Sequence, residues 1–267
     1  MCFAVATQNG VCYTNKVSIH NRNDMSGHSK WHNIQHKKAK NDKARGAMFT
    51  KLIKSITVAA GEGGPDLDMN FSLRLAVEKA KAGNVPKDNI ERAIKRGSGE
   101  GKEGVTYEHT LYEGFGPGGI ALLIECLTDN KNRSVSDVKL ILSKKGGSSA
   151  GQGSVQWQFE HKGMVRFSAE KKNAISEWDD AQLTLMDAGV VEIEEGELGV
   201  ELSCPRESLQ KVVEALLTLG VTPDDSSLEW VAKELVACPK EKAAQLEALL
   251  DAFDENDDVK AVYTNAL

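Results

Sequence analysis

The 267-residue sequence has few cysteines and lacks the patterns that usually mark a catalytic, metal or membrane site. Its five cysteines are scattered and form no CxxC pair, which argues against a disulfide framework and against a thiolate zinc site. No run approaches the roughly 18–20 apolar residues that a membrane-spanning helix needs. No Ser/His/Asp, Cys/His or carboxylate pair lies on a catalytic scaffold. The sequence therefore predicts a protein that is not an enzyme, without metal or cofactor, and without a membrane or small-molecule partner.

Charge is unevenly distributed along the chain, although the net charge is only −6. Residues 26–96 contain 15 Lys or Arg residues against 7 Asp or Glu residues, whereas residues 97–267 contain 16 against 31. A protein divided in this way usually directs its basic part at a polyanion.

The basic charge is densest at residues 26–60, where eight Lys or Arg residues accompany a single acid, Asp42. Closely spaced cations release counterions from phosphates, so this block predicts salt-sensitive nucleic-acid binding; a merely solvated lysine face is the alternative. Trp31 can stack on an exposed base or anchor a core. A metal site at the histidine row at 28, 32 and 36 is disfavoured because the lysines repel cations. The predicted nucleic-acid-binding residues are Lys30, Trp31, His32, His36, Lys37, Lys38, Lys40, Lys43, Arg45, Lys51 and Lys54.

Residues 1–24 differ in composition from the rest and lack the apolar core of a secretory signal. The sequence from Met25 reads as a fresh N-terminus, so we expect 1–24 to be an extension that is disordered or not native, on a cytoplasmic protein. The alternative is a weak transit peptide, which would place the protein in the mitochondrial matrix or another organelle.

Residues 25–96 predict a bundle of about three helices. Apolar residues recur at three- to four-residue spacing in 47–56 and again in 69–82. Pro86 stands where the first turn of a third helix would begin. The glycine-rich run at 97–104 predicts a flexible linker.

The rest of the chain predicts α+β structure. Residues 120–127 are apolar on both faces, as in a buried strand, and a helix pattern follows at 135–142. Alternation across 155–167, with a turn at 161–163, predicts a hairpin and so the first part of a ferredoxin-like βαββαβ unit. After residue 170 there are more elements than one unit holds, which favours two α+β units, one of them inserted in the other.

Two loops are candidates for a second nucleic-acid contact. The glycine-rich run 112–119 leads into a strand, so it is not a nucleotide-hydrolysis loop, but its backbone could approach a phosphate closely. The run 129–134 precedes a helix, where Asn132 or Ser134 could act as the N-cap, or where cations could meet a phosphate. The acidic segments, including 254–258, are expected to be solvated turns that face away from nucleic acid. The candidate residues are Tyr112, Gly114, Gly116, Pro117, Gly118, Asn130, Lys131, Asn132 and Arg133.

Several long motifs give the chain a family resemblance. These are MSGHSKWHNI at 25–34, KARG at 43–46, FTKL at 49–52, YEGFGPGG at 112–119, IECLTDNKNR at 124–133 and GSV at 153–155. In this order they resemble the YebC family, which includes bacterial proteins of the YebC/PmpR type, labelled transcriptional regulators, and the mitochondrial translational activator of cytochrome c oxidase subunit I. The resemblance implies a helical N-terminal domain and two α+β domains, with the third inserted in the second. The implied units are 25–96, 105–168 plus 239–267, and 169–238.

The resemblance implies either DNA binding by a transcriptional regulator or action on the ribosome. No helix-turn-helix with a readable recognition helix is evident, and the basic terminal helix carries little base-reading chemistry beyond its lysines. We therefore expect a ribosome-associated translation factor that contacts ribosomal RNA, tRNA or mRNA. A regulator that binds promoter DNA is the alternative, and an adaptor that uses its acidic domains is the second alternative.

Overall fold

The computed structural model describes residues 42–99 and 107–267, apart from the side chains of 42–45 and 47. These residues form eight α-helices and two four-stranded antiparallel sheets. The helices are α1 (Asp42–Gly63), α2 (Phe71–Ala82), α3 (Lys87–Gly97), α4 (Lys131–Lys144), α5 (Ala169–Asn173), α6 (Trp178–Asp187), α7 (Leu209–Thr218) and α8 (Lys240–Asp254). The strands are β1 (Glu108–Phe115), β2 (Ala121–Thr128), β3 (Ser148–Ala150), β4 (Phe159–Ser168), β5 (Glu192–Gly196), β6 (Gly199–Pro205), β7 (Asp225–Ala232) and β8 (Val259–Thr264).

Helices α1 to α3 form the predicted three-helix bundle. Its core contains Ile56 from α1, Leu73 and Val77 from α2, and Ile90 from α3. The Asn70 side chain caps α2 by accepting a hydrogen bond from the backbone N–H of Leu73 at 3.0 Å. Burial of these apolar side chains supplies the main driving force for the bundle.

The first sheet has the strand order β3-β1-β2-β8, and α4 and α8 cover one of its faces. Strand β2 is buried along its whole length, as its continuous apolar run predicts. The chain order is hairpin, helix, strand, helix, strand, so this unit reaches a two-layer α+β arrangement without following βαββαβ order.

The second sheet has the strand order β5-β6-β4-β7 and is inserted between β3 and α8 of the first unit. Its chain order, with α5 and α6 in the first crossover and α7 in the second, is the βαββαβ order of a ferredoxin-like unit. The α+β architecture, with one unit inserted in the other, is confirmed.

The hairpin predicted at 155–167 is wrong. Residues Phe159–Ser168 form the single strand β4, which pairs with both β6 and β7. Gly163 lies opposite Cys204 and Leu228 rather than in a turn, and a Cβ there would lie 2.8 Å from Cys204 Sγ. The glycine therefore permits close packing inside the sheet. Because β4 belongs to the second sheet, the predicted domain boundary at 168 lies too late in the chain.

The bundle contacts both α+β units. Lys79 of α2 forms a 2.8 Å ion pair with Asp225 of β7, and Phe71 and Leu75 pack against the core of the second unit. Lys54 of α1 reaches the first unit. The three units therefore pack together through both apolar and charged contacts.

Candidate nucleic-acid interface

Most of the predicted basic contacts lie outside the described residues. These are Lys30, Trp31, His32, His36, Lys37, Lys38 and Lys40. Lys43 and Arg45 lie at the start of α1, and their side chains are also outside the description. The role of all nine in binding stays a prediction.

Lys54 points into the protein rather than towards solvent. Its side chain is only 10% exposed, and its ammonium group donates to Asp258 Oδ1 at 2.6 Å and to the carbonyl of Asp257 at 2.9 Å. The ammonium also lies 5.6 Å from the centroid of the Tyr107 ring. The phosphate contact predicted for Lys54 is therefore wrong, because the ammonium group is buried against the carboxylate of Asp258. Lys51, one turn earlier, donates to the carbonyl of Asp254 at 2.7 Å.

Asp258 is the centre of this contact between the bundle and the first unit. Its second oxygen accepts from Arg133 Nε at 3.0 Å and from the Thr128 hydroxyl at 3.1 Å. Burial alone would raise the pKa of the Asp258 carboxyl, but hydrogen bonds from Lys54 and Arg133 hold it below its ordinary value. The expectation that all of 254–258 is a solvated turn is wrong at Asp258, which is only 5% exposed.

A cationic surface that the sequence analysis did not single out lies on α3. Arg92, Lys95 and Arg96 are exposed in the last two turns of this helix. Arg92 donates to the carbonyl of Asp88 at 3.1 Å and also bonds the Asn89 side chain. Within the described residues, no carboxylate lies in ion-pair distance of Lys95 or Arg96. The helical period could have identified this surface from the sequence, because positions 92, 95 and 96 fall on one face of a helix.

Four residues join α2 to α3, a length that is also found in helix-turn-helix motifs. The sequence analysis found no readable recognition helix here. On α3, Arg92 could read a guanine, but the amide of Asn89 is already engaged by Arg92. The exposed α3 side chains are therefore better suited to phosphates than to bases.

The glycine-rich segment at the end of β1 and just after it is packed against the rest of the first unit. Gly114, Gly116 and Pro117 are buried, and a Cβ on Gly114 would lie 2.8 Å from the Ser148 carbonyl. Gly118 is exposed with φ +80°, and a Cβ there would meet Pro239 at 2.8 Å. The glycines thus permit close approach of the protein's own backbone, and a phosphate contact at this turn stays a prediction.

The two loops predicted as a second contact meet at a groove. It is about 540 Å³ in volume and lies between β1, the first turn of α4 and the end of β3. Its lining includes Tyr112, Lys131, Asn132 and Gln152. The Tyr112 hydroxyl lies 3.4 Å from the carbonyl of Lys131, which places the ring against α4. The hydroxyl of Thr110, which also lines the groove, is buried with no partner among the described residues.

Most polar side chains of the 129–134 loop bond to other groups of the protein. The N-cap of α4 is Asn130, whose side chain accepts from the backbone N–H of Arg133 at 3.1 Å, so the predicted caps Asn132 and Ser134 are wrong. Arg133 bonds Asp258 and also Asp129 at 2.6 Å. Lys131 pairs with Glu108, but both side chains are more than half exposed, and such pairs are weak.

An exposed aromatic side chain follows the loop that Glu113 holds. Glu113, which follows Tyr112, accepts backbone hydrogen bonds from Val155 and Gln156 at 2.6 and 3.0 Å and so holds the 151–156 loop. Trp157 follows this loop and is 67% exposed, with its indole N–H bonded to the carbonyl of Ser154 at 3.0 Å. Lys233 donates to the carbonyl of Trp157 at 2.9 Å. Sequence reasoning missed Trp157 because its alternation with Val155 and Phe159 indicated a strand.

The described part of the chain gives no sign of metal or thiol chemistry. It contains no group of three His, Cys, Asp or Glu side chains that could hold a metal ion. Burial raises the pKa of the Cys126 thiol to about 12 and that of Cys204 to about 11, which leaves both as unreactive thiols. Within the same described ranges, no helix is both long and apolar enough to cross a membrane.

Comparisons with known proteins agree with the architecture. Residues 29–100 match a family model described as the TACO1/YebC protein N-terminal domain, and residues 107–266 match one described as the TACO1/YebC second and third domain. A "probable transcriptional regulatory protein" of Chlorobaculum tepidum is 46% identical over 90% of this chain and 94% of its own. One from an Arthrobacter strain is 48% identical over 91% of this chain and 95% of its own.

A solved structure gives the same result. The crystal structure of a conserved hypothetical protein from Aquifex aeolicus is similar with a TM-score of 0.79 and 37% identity, covering 90% of this chain and 97% of that one. The family models together cover most of the sequence, and the relatives match along nearly their whole lengths. The chain therefore belongs to the TACO1/YebC family.

Proposed function

We propose that this protein is a nucleic-acid-binding regulator of gene expression. The observation that carries the proposal is the exposed cationic surface of α3, formed by Arg92, Lys95 and Arg96 in a protein whose net charge is −6. Phosphate binding explains why three exposed cations, for which no carboxylate partner is found among the described residues, lie on one face of α3 in a protein whose other units are acidic. The block at 26–60, which precedes and enters α1, would extend this surface.

Transcriptional regulation is the more specific function that the relatives favour, since the two described above are named probable transcriptional regulatory proteins. The four-residue turn between α2 and α3 also suits a helix pair that approaches duplex DNA. On this interpretation α3 supplies phosphate contacts, and Arg92 is the residue best able to read a base.

Translational regulation is the second candidate. The groove beside Tyr112 and the exposed Trp157 favour it, because aromatic side chains recognise unpaired bases, which are common in RNA. The small number of base-reading side chains on α3 also favours a target recognised by shape. Ribosomal RNA, tRNA or mRNA would then be the partner.

Two measurements on the full chain separate these forms. Mobility-shift titration against promoter fragments and shuffled duplexes of equal length tests for sequence preference in DNA binding. Cosedimentation with ribosomes at moderate salt tests for ribosome association. Preference for particular promoter fragments, with the protein remaining at the top of the gradient, supports transcription. Sedimentation with ribosomes, without such preference, supports translation. Failure to bind any nucleic acid or ribosome would refute the proposal and favour a protein adaptor.

A further inference from the structure

Two partly exposed basic side chains of the first sheet share one buried carboxylate. His109 Nε2 lies 2.6 Å from Glu125 Oε1, and Lys260 Nζ donates to the same oxygen at 2.7 Å. The Tyr263 hydroxyl donates to the other carboxylate oxygen at 2.9 Å. The Glu125 side chain is only 8% exposed, whereas those of His109 and Lys260 are 44% and 39% exposed. The carboxylate therefore holds two nitrogen-bearing groups side by side at the surface.

The same face of the first sheet meets the second sheet. Leu123 and Ala261 belong to a core cluster against which Trp230 of β7 packs. Because side chains alternate along a strand, Glu125 shares the face of Leu123. Trp230 in turn stacks on His161 of β4, with ring centroids 4.7 Å apart and an interplanar angle of 14°. The stack holds the His161 ring at the boundary between the two α+β units.

Arg206 brings a further positive charge to this boundary. It follows β6, whose last residue pairs with the chain neighbour of His161. Burial lowers the pKa of His161, and the positive charges of Arg206 and Lys260 lower it further, against the opposite effect of Glu125. Since such effects weaken with distance, Arg206 and Lys260 lie near the His161 ring.

These cations keep hydrogen-bond donors that the rest of the protein does not use. An ammonium group carries three N–H groups, and in the described ranges Lys260 bonds only Glu125. Residues 159–232 contain six Lys or Arg residues against 16 Asp or Glu residues. The four at 162, 166, 171 and 172 pair with carboxylates. Arg206 and Lys211 are exposed without such a pair among the described residues, and of these two Arg206 lies beside His161.

We propose that His109, His161, Arg206 and Lys260 form a binding site for a phosphate group at the boundary between the two α+β units. The phosphate belongs to a nucleic-acid backbone or is free in solution, since both present the same anionic oxygens. Guanidinium, ammonium and imidazole N–H groups are suitable donors to these oxygens. In its nucleic-acid form the inference rests on the proposed function, and it adds a contact outside the bundle.

The Arg206→Gln, Lys260→Gln variant of the full chain tests the nucleic-acid form. The probes are duplex DNA and single-stranded RNA of mixed sequence. The slope of log affinity against log salt should fall by up to about 1.8 on the duplex and about 1.4 on the single strand, at about 0.9 and 0.7 per phosphate contact. A Lys211→Gln, Lys240→Gln variant is the control, because it makes the same charge change at other exposed positions and should keep both slopes.

A single substitution protects this test from a folding defect, because Lys260→Gln removes one donor from the buried carboxylate of Glu125. Arg206→Gln changes only an exposed side chain and should lower the duplex slope by up to about 0.9. Arg206→Lys keeps the charge and should retain most of the slope. Thermal unfolding of each variant checks that the chain is folded.

Inorganic phosphate tests the free form of the ligand. The histidine ring signals are followed by NMR at constant pH while phosphate is added, with sodium chloride of equal ionic strength as the reference. The signals of His109 and His161 should shift with phosphate more than with chloride. In the Arg206→Gln, Lys260→Gln variant the additional shift should be lost.

The outcomes separate this inference from the proposed function. Lower slopes in the site variants but not in the control support a nucleic-acid phosphate. Unchanged slopes together with phosphate-dependent histidine shifts support a free phosphate and leave the proposed function standing. Unchanged slopes without such shifts overturn the inference, and the proposed function again stands. If the unmodified chain binds neither nucleic acid, the proposed function is refuted; histidine shifts then support the site and their absence overturns it.

Discussion

The contact between Lys54 and Asp258 provides a direct test of how the bundle is attached to the first unit. Asp258→Asn keeps the shape of the side chain but removes the carboxylate that faces Lys54 at 2.6 Å. Breaking a buried ion pair costs about 3–5 kcal/mol because the remaining charge is left buried without a partner. Lys54 retains the carbonyl of Asp257 and the ring of Tyr107, and Arg133, which also bonds Asp258, retains Asp129, so we expect the low end, about 3 kcal/mol.

Scanning calorimetry measures this cost as a change in Tm. For a chain of this size 1 kcal/mol corresponds to about 2–4 °C, so Asp258→Asn should lower Tm by about 6–12 °C. Glu91→Gln is the control, because its pair with Lys87 is exposed and 3.6 Å long and should contribute less than about 1 kcal/mol. Adding Lys54→Met removes the unpaired lysine charge and should restore part of the lost Tm. If Asp258→Asn and Glu91→Gln unfold at the same temperature, the pair does not support the contact.

Two further predictions concern stability. Gly97→Ala places a Cβ 2.2 Å from the carbonyl of Thr57, between α3 and α1, so it should cost about 1–3 kcal/mol. Gly46→Ala in α1, whose new Cβ would meet no described atom within 4 Å, should instead gain up to about 1 kcal/mol. Urea unfolding of both variants checks this, and equal signs would contradict it. Burial raises the pKa of the Asp258 and Glu125 carboxyls, but hydrogen-bond donors more than offset it and lower both, so their stabilisation is present above about pH 4 and is lost as pH falls further. Tm measured from neutral pH to about pH 3 should fall below about pH 4, and a flat profile would refute the assignment.

The sequence predicted the parts of the fold that depend on local periodicity. The three helices of the bundle, the buried strand β2 and the presence of two α+β units follow from patterns that repeat every two or every 3.6 residues. The assignment of β4 failed because Gly163 looks the same in a turn and at a close contact inside a sheet. Only the distant partners Cys204 and Leu228 distinguish these cases, and pairing between distant strands is not a local signal.

The candidate site was predicted less well, because charge on a helix does not say what the charge faces. Lys54 and Arg92 are both basic residues of the bundle, yet one is buried against Asp258 and the other is exposed. The partner that buries Lys54 is 204 residues away in the chain. Tyr112 and Lys131 were named in two separate loops, and their meeting at one groove required the pairing of β1 with β2 and the packing of α4.

The salt dependence of nucleic-acid binding tests most directly whether α3 contacts phosphates. The Arg92→Gln, Lys95→Gln, Arg96→Gln variant should reduce the slope of log affinity against log salt on duplex DNA by up to about 2.7, at about 0.9 per lost phosphate contact. A control with the same charge change, Lys211→Gln, Lys240→Gln, Lys242→Gln, alters exposed lysines of α7 and α8. The proposed function predicts a smaller slope for the α3 variant alone. Equal slopes in the two variants would contradict it, because net charge rather than the α3 surface would then determine binding.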